Sequence, residues 1–193
     1  MALKLHVIVA STRPSRAGLP IAKWAFEHIA RHQAFESRLV DLKEVNLPFL
    51  DEPAHPRLRK YEHQHTKDWS ATIDAADAFV IVTPEYNTGI PAPLVNALDF
   101  LHQEWAYKPI AFVSYGGVSG GTRAVQMGRL IATTLRMAPI PEGVSIPFYA
   151  TQMKDGVFAG TDAQLKSLDG MLNELARWAS ALAPLRTPAP RPS

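Results

Sequence analysis

Hydrophobic and polar positions follow two periods along this chain. Leu3 to Ala10, Ala78 to Val82 and Pro109 to Ser114 are short, largely apolar runs rich in β-branched residues, the pattern of strands covered on both faces. Elsewhere apolar residues recur every three to four positions, as on one face of a helix. Ile21, Ala25, Phe26 and Ile29 do so behind Pro20, and Trp69, Ile73 and Ala76 do so in a helix beginning near Tyr61. Further stripes are Leu94, Leu98 and Leu101, then Ala124, Met127, Ile131 and Leu135, then Leu165, Leu168, Leu172, Leu175, Trp178 and Leu182. Ser37 to Leu42 and Val144 to Pro147 complete a set of five strands. Strands alternating with helices imply a parallel sheet with right-handed crossovers and helices on both faces. The Pro-rich segment 184–193 has little to bury and is expected to be a disordered tail, which leaves residues 1–183 as one domain.

The polar segments that follow three of the strands carry the candidate chemistry. In open α/β sheets, ligands bind at the carboxyl edge beside the point where the strand order reverses. The first strand delivers the chain to Ser11-Thr12-Arg13-Pro14-Ser15-Arg16-Ala17-Gly18, with a helix opening at Pro20. Hydroxyls and arginines ahead of a helix N-terminus make an anion site, because free amides and the helix dipole favour negative charge and guanidinium forks grip phosphate oxygens. After the third strand, Pro84-Glu85-Tyr86-Asn87 leads to a stretch held stiff by Pro91 and Pro93, which suits a flat heteroaromatic ligand. After the fourth, Gly116, Gly117, Gly120 and Gly121 let a backbone approach a ligand closely.

Composition narrows the function classes. A chain of 193 residues with 47% hydrophobic content can build a sizeable core. With no cysteine it has no thiolate nucleophile, disulfide framework or Cys-ligated metal. A formal charge of +2, with scattered basic residues, argues against nucleic-acid binding. No apolar run approaches a membrane span and no signal peptide precedes the first strand, so a cytoplasmic location with no membrane partner is expected. His63 and His65 lie two apart, so on a helix they would not share a face, and no metal site is expected. Glu104-Trp105-Ala106-Tyr107 places two aromatic rings beside a helix end, a pattern of subunit-interface anchors.

The stretch Thr83 to Asn87, with Gly89, Pro91 and Asn96-Ala97-Leu98-Asp99, resembles the signature of the NAD(P)H-dependent FMN reductase family. Thr88 and Ala92 stand where that family often has His and Gly, and Ala10 stands where its phosphate loop often has Gly. The resemblance implies a flavodoxin-like α/β fold with a five-stranded parallel sheet in the order 2-1-3-4-5. It implies FMN as cofactor, NADPH or NADH as co-substrate, and a homodimer or tetramer. Ser11, Arg13, Ser15 and Arg16 would then hold the phosphate, and Pro84, Glu85, Tyr86 and Asn87 the isoalloxazine ring. Gly116 and Gly117, beside Ser114, would offer amides to its pyrimidine side. No protein side chain is assigned the chemistry, since a flavin brings its own. Electrons would pass by a ping-pong mechanism to a small-molecule acceptor: a quinone, azo compound, metal oxyanion or free flavin. Two other readings stay open, an electron carrier of the flavodoxin type and a regulatory relative without flavin.

Overall fold

The structure is a computed structural model and describes residues 2–186. Strands β1 (Leu3–Val9), β2 (Phe35–Asp41), β3 (Ala78–Pro84), β4 (Pro109–Tyr115) and β5 (Ala138–Ile146) form one sheet in the order β2-β1-β3-β4-β5. Every pairing is parallel, so the flavodoxin-like architecture is as expected. Because successive side chains of a strand point to opposite faces, the sheet is apolar on both sides. Leu5, Val7, Val9, Val80, Val82 and Val113 pack under helices α1 (Gly18–Ile29) and α6 (Asp162–Leu182). Ile8, Phe79, Ile81, Ile110 and Phe112 pack under α2 (Leu42–Val45), α3 (Gln64–Asp74), α4 (Ala92–Asp99) and α5 (Thr122–Thr134).

Several boundaries differ from those the sequence implies. Strand β5 starts six residues before Val144 and contains Pro139 and Pro141, which a central strand would exclude. It lies at the sheet edge, and its register slips against β4 between Ile110 and Phe112. A small hairpin, β6 (Met153–Lys154) with β7 (Val157–Phe158), follows it, and the buried Phe158 meets Trp24 edge to face at 5.1 Å between centroids. Helix α6 starts at a capping box in which Thr161 Oγ1 accepts from Gln164 N and Gln164 Oε1 accepts from Thr161 N.

Trp105, expected at a subunit interface, is a core residue instead. Its indole lies 5.0 Å from Phe79 and 6.0 Å from Trp69, centroid to centroid, and donates to Leu98 O at 3.2 Å. Pro184, Leu185 and Arg186, expected in a disordered tail, belong to a 3-10 turn, and Arg186 Nη1 lies 2.7 Å from Asp77 Oδ1. The remainder of that segment, 187–193, lies outside the described residues. His63 precedes α3 rather than lying in it, so its ring stacks on His65 at 5.2 Å. Among the described residues no three His, Asp or Glu side chains come together as metal ligands, and no helix is long and apolar enough to cross a membrane.

Candidate functional site at the carboxyl edge of the sheet

Three loops converge where β1, β3 and β4 end. Ala10 N donates to Val82 O and Glu85 N to Tyr115 O, so each strand end is tied to its neighbour. Tyr115, the last residue of β4, reaches across the sheet and donates its hydroxyl to Ser11 Oγ at 3.2 Å. Burial pushes the Tyr115 phenol well above its ordinary pKa, outweighing the pull of the Ser11 hydrogen bond, and so keeps it a neutral donor. This contact leaves no room for a side chain at Gly18, where a Cβ would lie 2.6 Å from Tyr115 Oη and closer still to Ser11 Oγ. Ser11 is therefore buried and braces the loop from below.

The two arginines of this loop have different fates. Arg16 turns inward, donating to Ser11 O and Asp41 Oδ1, each at 2.8 Å, and pairing with Asp41 Oδ2 through its other nitrogen. Both side chains of the pair are buried, at 7% and 4% exposure. Arg16 is thus neutralised by the carboxylate at the end of β2. Arg13 is exposed, has no carboxylate partner among the described residues, and sits over the Tyr86 ring with Cζ 5.8 Å from its centroid. Ser15 is also exposed. Beyond them α1 opens at Ala17 without a side-chain cap, so its first amides are left for an outside acceptor.

The loop after β3 contains a tight hairpin. Tyr86 and Gly89 exchange both backbone hydrogen bonds at 3.0 Å, with Asn87 and Thr88 at φ 48° and 68°, a two-residue turn with positive φ at both centres. Pro84 is buried, Tyr86 half-buried and Asn87 exposed. Glu85, expected against a ligand ring, turns away from the surface. Its carboxylate accepts from Arg123 Nε at 2.7 Å, Nη2 at 2.6 Å and the Arg123 amide at 3.1 Å, which fastens this loop to the first turn of α5. Burial alone would raise its pKa, but these donors outweigh burial and hold it below the ordinary carboxylate value.

The glycine loop is pinned from inside. Ser114 Oγ at 2.8 Å and Ser145 Oγ at 3.2 Å both donate to Gly120 O. The Gly116 amide, expected to face a ligand, donates instead to Ile146 O at 3.2 Å. Gly121, at φ 84°, brings the backbone within 2.8 Å of where a Cβ would meet Tyr115 N. What stays open is Gly117 and Val118. A Cβ added at Gly117 would meet no atom beyond its chain neighbours within 4 Å, Val118 is 78% exposed, and among the described residues neither amide has an acceptor.

A recess of about 550 Å³ adjoins the site, lined by Thr12, Lys43, Leu47, Phe49, Pro93 and Asn96. Its wall is the long loop after β2, clamped by Asn96, which donates to Pro48 O at 2.7 Å and accepts from Leu50 N at 3.0 Å. Of the eleven candidate residues, the structure leaves Arg13, Ser15, Tyr86, Asn87 and Gly117 at the surface of the convergence and directs Ser11, Arg16, Pro84, Glu85, Ser114 and Gly116 inward. The supporting residues Tyr115, Asp41 and Arg123 were missed, and for Asp41 alone the sequence carries a signal, an acid directly after the apolar pair Leu39-Val40 that ends β2.

These features fit a flavin mononucleotide on the structure's own terms: an uncapped helix start beside a free guanidinium for a phosphate, a flat aromatic shelf, and two free amides. The profile of a family described as NADPH-dependent FMN reductase matches residues 3–151. An NAD(P)H-dependent FMN reductase of Schizosaccharomyces pombe is 42% identical over 147 residues, covering 75% of this chain and 74% of that protein. An NADPH azoreductase of a Bacillus species is 30% identical over 125 residues, covering 64% and 65%. Among solved structures, FerB, a flavoenzyme NAD(P)H:(acceptor) oxidoreductase of Paracoccus denitrificans, superposes with a TM-score of 0.73 at 21% identity, covering 93% of this chain and 98% of that one.

Proposed function

The chain belongs to the NADPH-dependent FMN reductase family, and from that premise we propose that it is an NAD(P)H:acceptor oxidoreductase working by alternate entry of its two substrates at the carboxyl edge of the sheet. Family membership favours an enzyme over the electron-carrier and flavin-free readings. The observation that carries the site assignment is Arg13, a cation with no carboxylate partner among the described residues, held over Tyr86 at the mouth of a helix without a side-chain cap.

Arg13, Ser15 and the first amides of α1 would hold the FMN phosphate. Tyr86 and Asn87, on the stiff backbone after Pro84, would line the ring, and the amides of Gly117 and Val118 would meet its pyrimidine side. Bound there, FMN would supply two-electron chemistry between NADPH or NADH and an acceptor. The protein's part is positional and electrostatic: preorganised amides favour the negative charge that accumulates on reduction without reorganising when it appears. Ser11, Arg16, Glu85, Ser114 and Gly116 act one step back, fixing the three loops relative to one another. Quinones and azo compounds are the proposed acceptors, since flat conjugated molecules can occupy the same open face as the nicotinamide. A homodimer is the proposed assembly, supported by exposed apolar side chains such as Phe49, at 85%, and Leu130, at 73%.

Initial rates with both substrates varied test this reading. Parallel double-reciprocal lines for NADPH or NADH against a quinone are expected, and lines intersecting to the left of the axis would replace alternate entry with a ternary complex.

A further inference from the structure

A second cavity, of about 1200 Å³, opens at the opposite, amino edge of the sheet. Its walls come from Arg57 and Arg59 around the 3-10 turn Pro56–Leu58, from residues just before β3, β4 and β5, and from the 3-10 turn Ala183–Arg186. Strands of seven residues rising about 3.3 Å each put it roughly 20 Å from the carboxyl-edge site.

The lining is unevenly charged. Arg57, Arg59, Lys108, Arg136 and Arg186 face it against only Asp74, Asp77 and Glu104. Most of these cations are already satisfied. Arg59 pairs with Asp74 and with the buried Glu104, and Arg186 pairs with Asp77. Lys108 Nζ donates to Ile73 O at 2.7 Å and Asp74 O at 3.2 Å. The other two, Arg57 and Arg136, have no carboxylate partner among the described residues. Their backbones are fixed to the same segment of wall: Gln103 Nε2 donates to Arg57 O at 2.6 Å, and Tyr107 N donates to Arg136 O at 2.9 Å. Beside them His102 Nδ1 is buried without a hydrogen-bond partner among the described residues. Burial lowers the His102 pKa, and Arg57, Arg136 and His55 lower it further against the weaker opposing pull of Glu104, so both arginines act on it electrostatically.

The backbone adds a separate observation. Arg136 closes α5 in the left-handed region at φ 61°, with Arg136 N donating to Thr133 O and Met137 N to Ala132 O, a helix ending that glycine ordinarily occupies. Arg59 and Tyr107, also on the cavity wall, have φ 52° and 61°. Three side chains thus line one cavity from positions where a side chain carries a conformational cost, and such strain gathers at ligand sites.

We propose that the amino-edge cavity is a second ligand site, for a small phosphate-bearing anion gripped by Arg57 and Arg136 with His102 beside them. Phosphate suits it better than a lone carboxylate, because two guanidinium forks offer more donors than one carboxylate can accept, and a phosphate chain matches the excess positive charge. The cavity is large enough for a molecule of nucleotide size.

Calorimetric titration of the full chain, loaded with FMN, with inorganic tripolyphosphate tests this. Saturable binding is expected, weakened about tenfold or more in Arg57→Ala and in Arg136→Gly, since each removes a charge-assisted contact. Arg136→Gly should also raise the unfolding midpoint by relieving the strained cap, so its loss of binding could not be ascribed to misfolding. The His102 imidazole, followed by NMR, should titrate at higher pH once the anion is bound. No saturable binding, binding as strong in both variants as in the wild type, or equal binding of citrate would each overturn the assignment.

Discussion

Replacing Arg13 and Arg16 in turn separates two residues of one type in one loop. Arg13→Ala removes an exposed guanidinium with no carboxylate partner among the described residues, so the fold should hold and its unfolding midpoint should stay within about 2 °C of wild type, as for a surface change within ~0.5 kcal/mol. The loss falls on the ligand. A charge-assisted hydrogen bond to phosphate contributes about 1.5–3 kcal/mol, so FMN affinity should fall roughly tenfold to more than a hundredfold. Riboflavin, which lacks the phosphate, should bind as before, and Arg13→Lys should restore only part of the loss because it keeps the charge without the fork. Arg16→Ala acts on the fold instead. It strands the Asp41 carboxylate, 4% exposed, with only the Lys43 amide at 3.0 Å as a remaining donor among the described residues. Removing one member of a buried pair costs about 3–5 kcal/mol, which for a chain of this size lowers the midpoint by roughly 10 °C. Thermal unfolding together with calorimetric titration of FMN and riboflavin reads both effects. A stable Arg16→Ala protein that loses FMN but keeps riboflavin would refute the reasoning, because Arg16 would then be the phosphate ligand.

Three other perturbations have definite expected outcomes. Thr88→Gly should stabilise the protein by about 1 kcal/mol in chemical denaturation, since a β-branched residue at φ 68° is relieved and Asn-Gly is the favoured pair for this turn. Gly18→Ala should cost about 1–3 kcal/mol and weaken FMN binding, because the new methyl group displaces Ser11 and Tyr115 beneath the phosphate loop, and an unchanged FMN affinity would exclude that support. His6 is buried and its pKa is lowered to about 4, chiefly by burial and then by Arg38, Lys108 and Lys4. The unfolded chain therefore binds a proton between about pH 6.5 and 4 that the folded chain refuses, so stability should fall by on the order of 3 kcal/mol as pH drops through that window, and His6→Leu should flatten the decline.

The sheet was legible because β1, β3 and β4 are largely buried on both faces and therefore read as mostly apolar runs, broken in β1 only by Lys4 and His6. Strand β5 was truncated in the sequence reading because Pro139 and Pro141 are strand breakers anywhere but at an edge, and edge placement is a tertiary fact. The hairpin of β6 and β7, two residues in each strand, is too short to show a period. The loops of the site were legible for a related reason: they are where the apolar runs stop. Which side chains point outward was not. Arg16 meets Asp41 across 25 residues of sequence and Glu85 meets Arg123 across 38, so neither pairing leaves a local pattern. Trp105 shows the same limit, since a ring beside a helix end looks alike whether it meets a partner chain or, as here, Trp69 and Phe79.

Mixing the FMN-loaded protein with NADPH or NADH under anaerobic conditions, with no acceptor present, tests the central claim most directly. Complete bleaching of the flavin absorbance is predicted, with one nicotinamide oxidised per bound flavin and full return of colour when a quinone is added after the nicotinamide is removed. Flavin that stays oxidised until the acceptor is present, or that bleaches no faster than free FMN in buffer, would contradict the account.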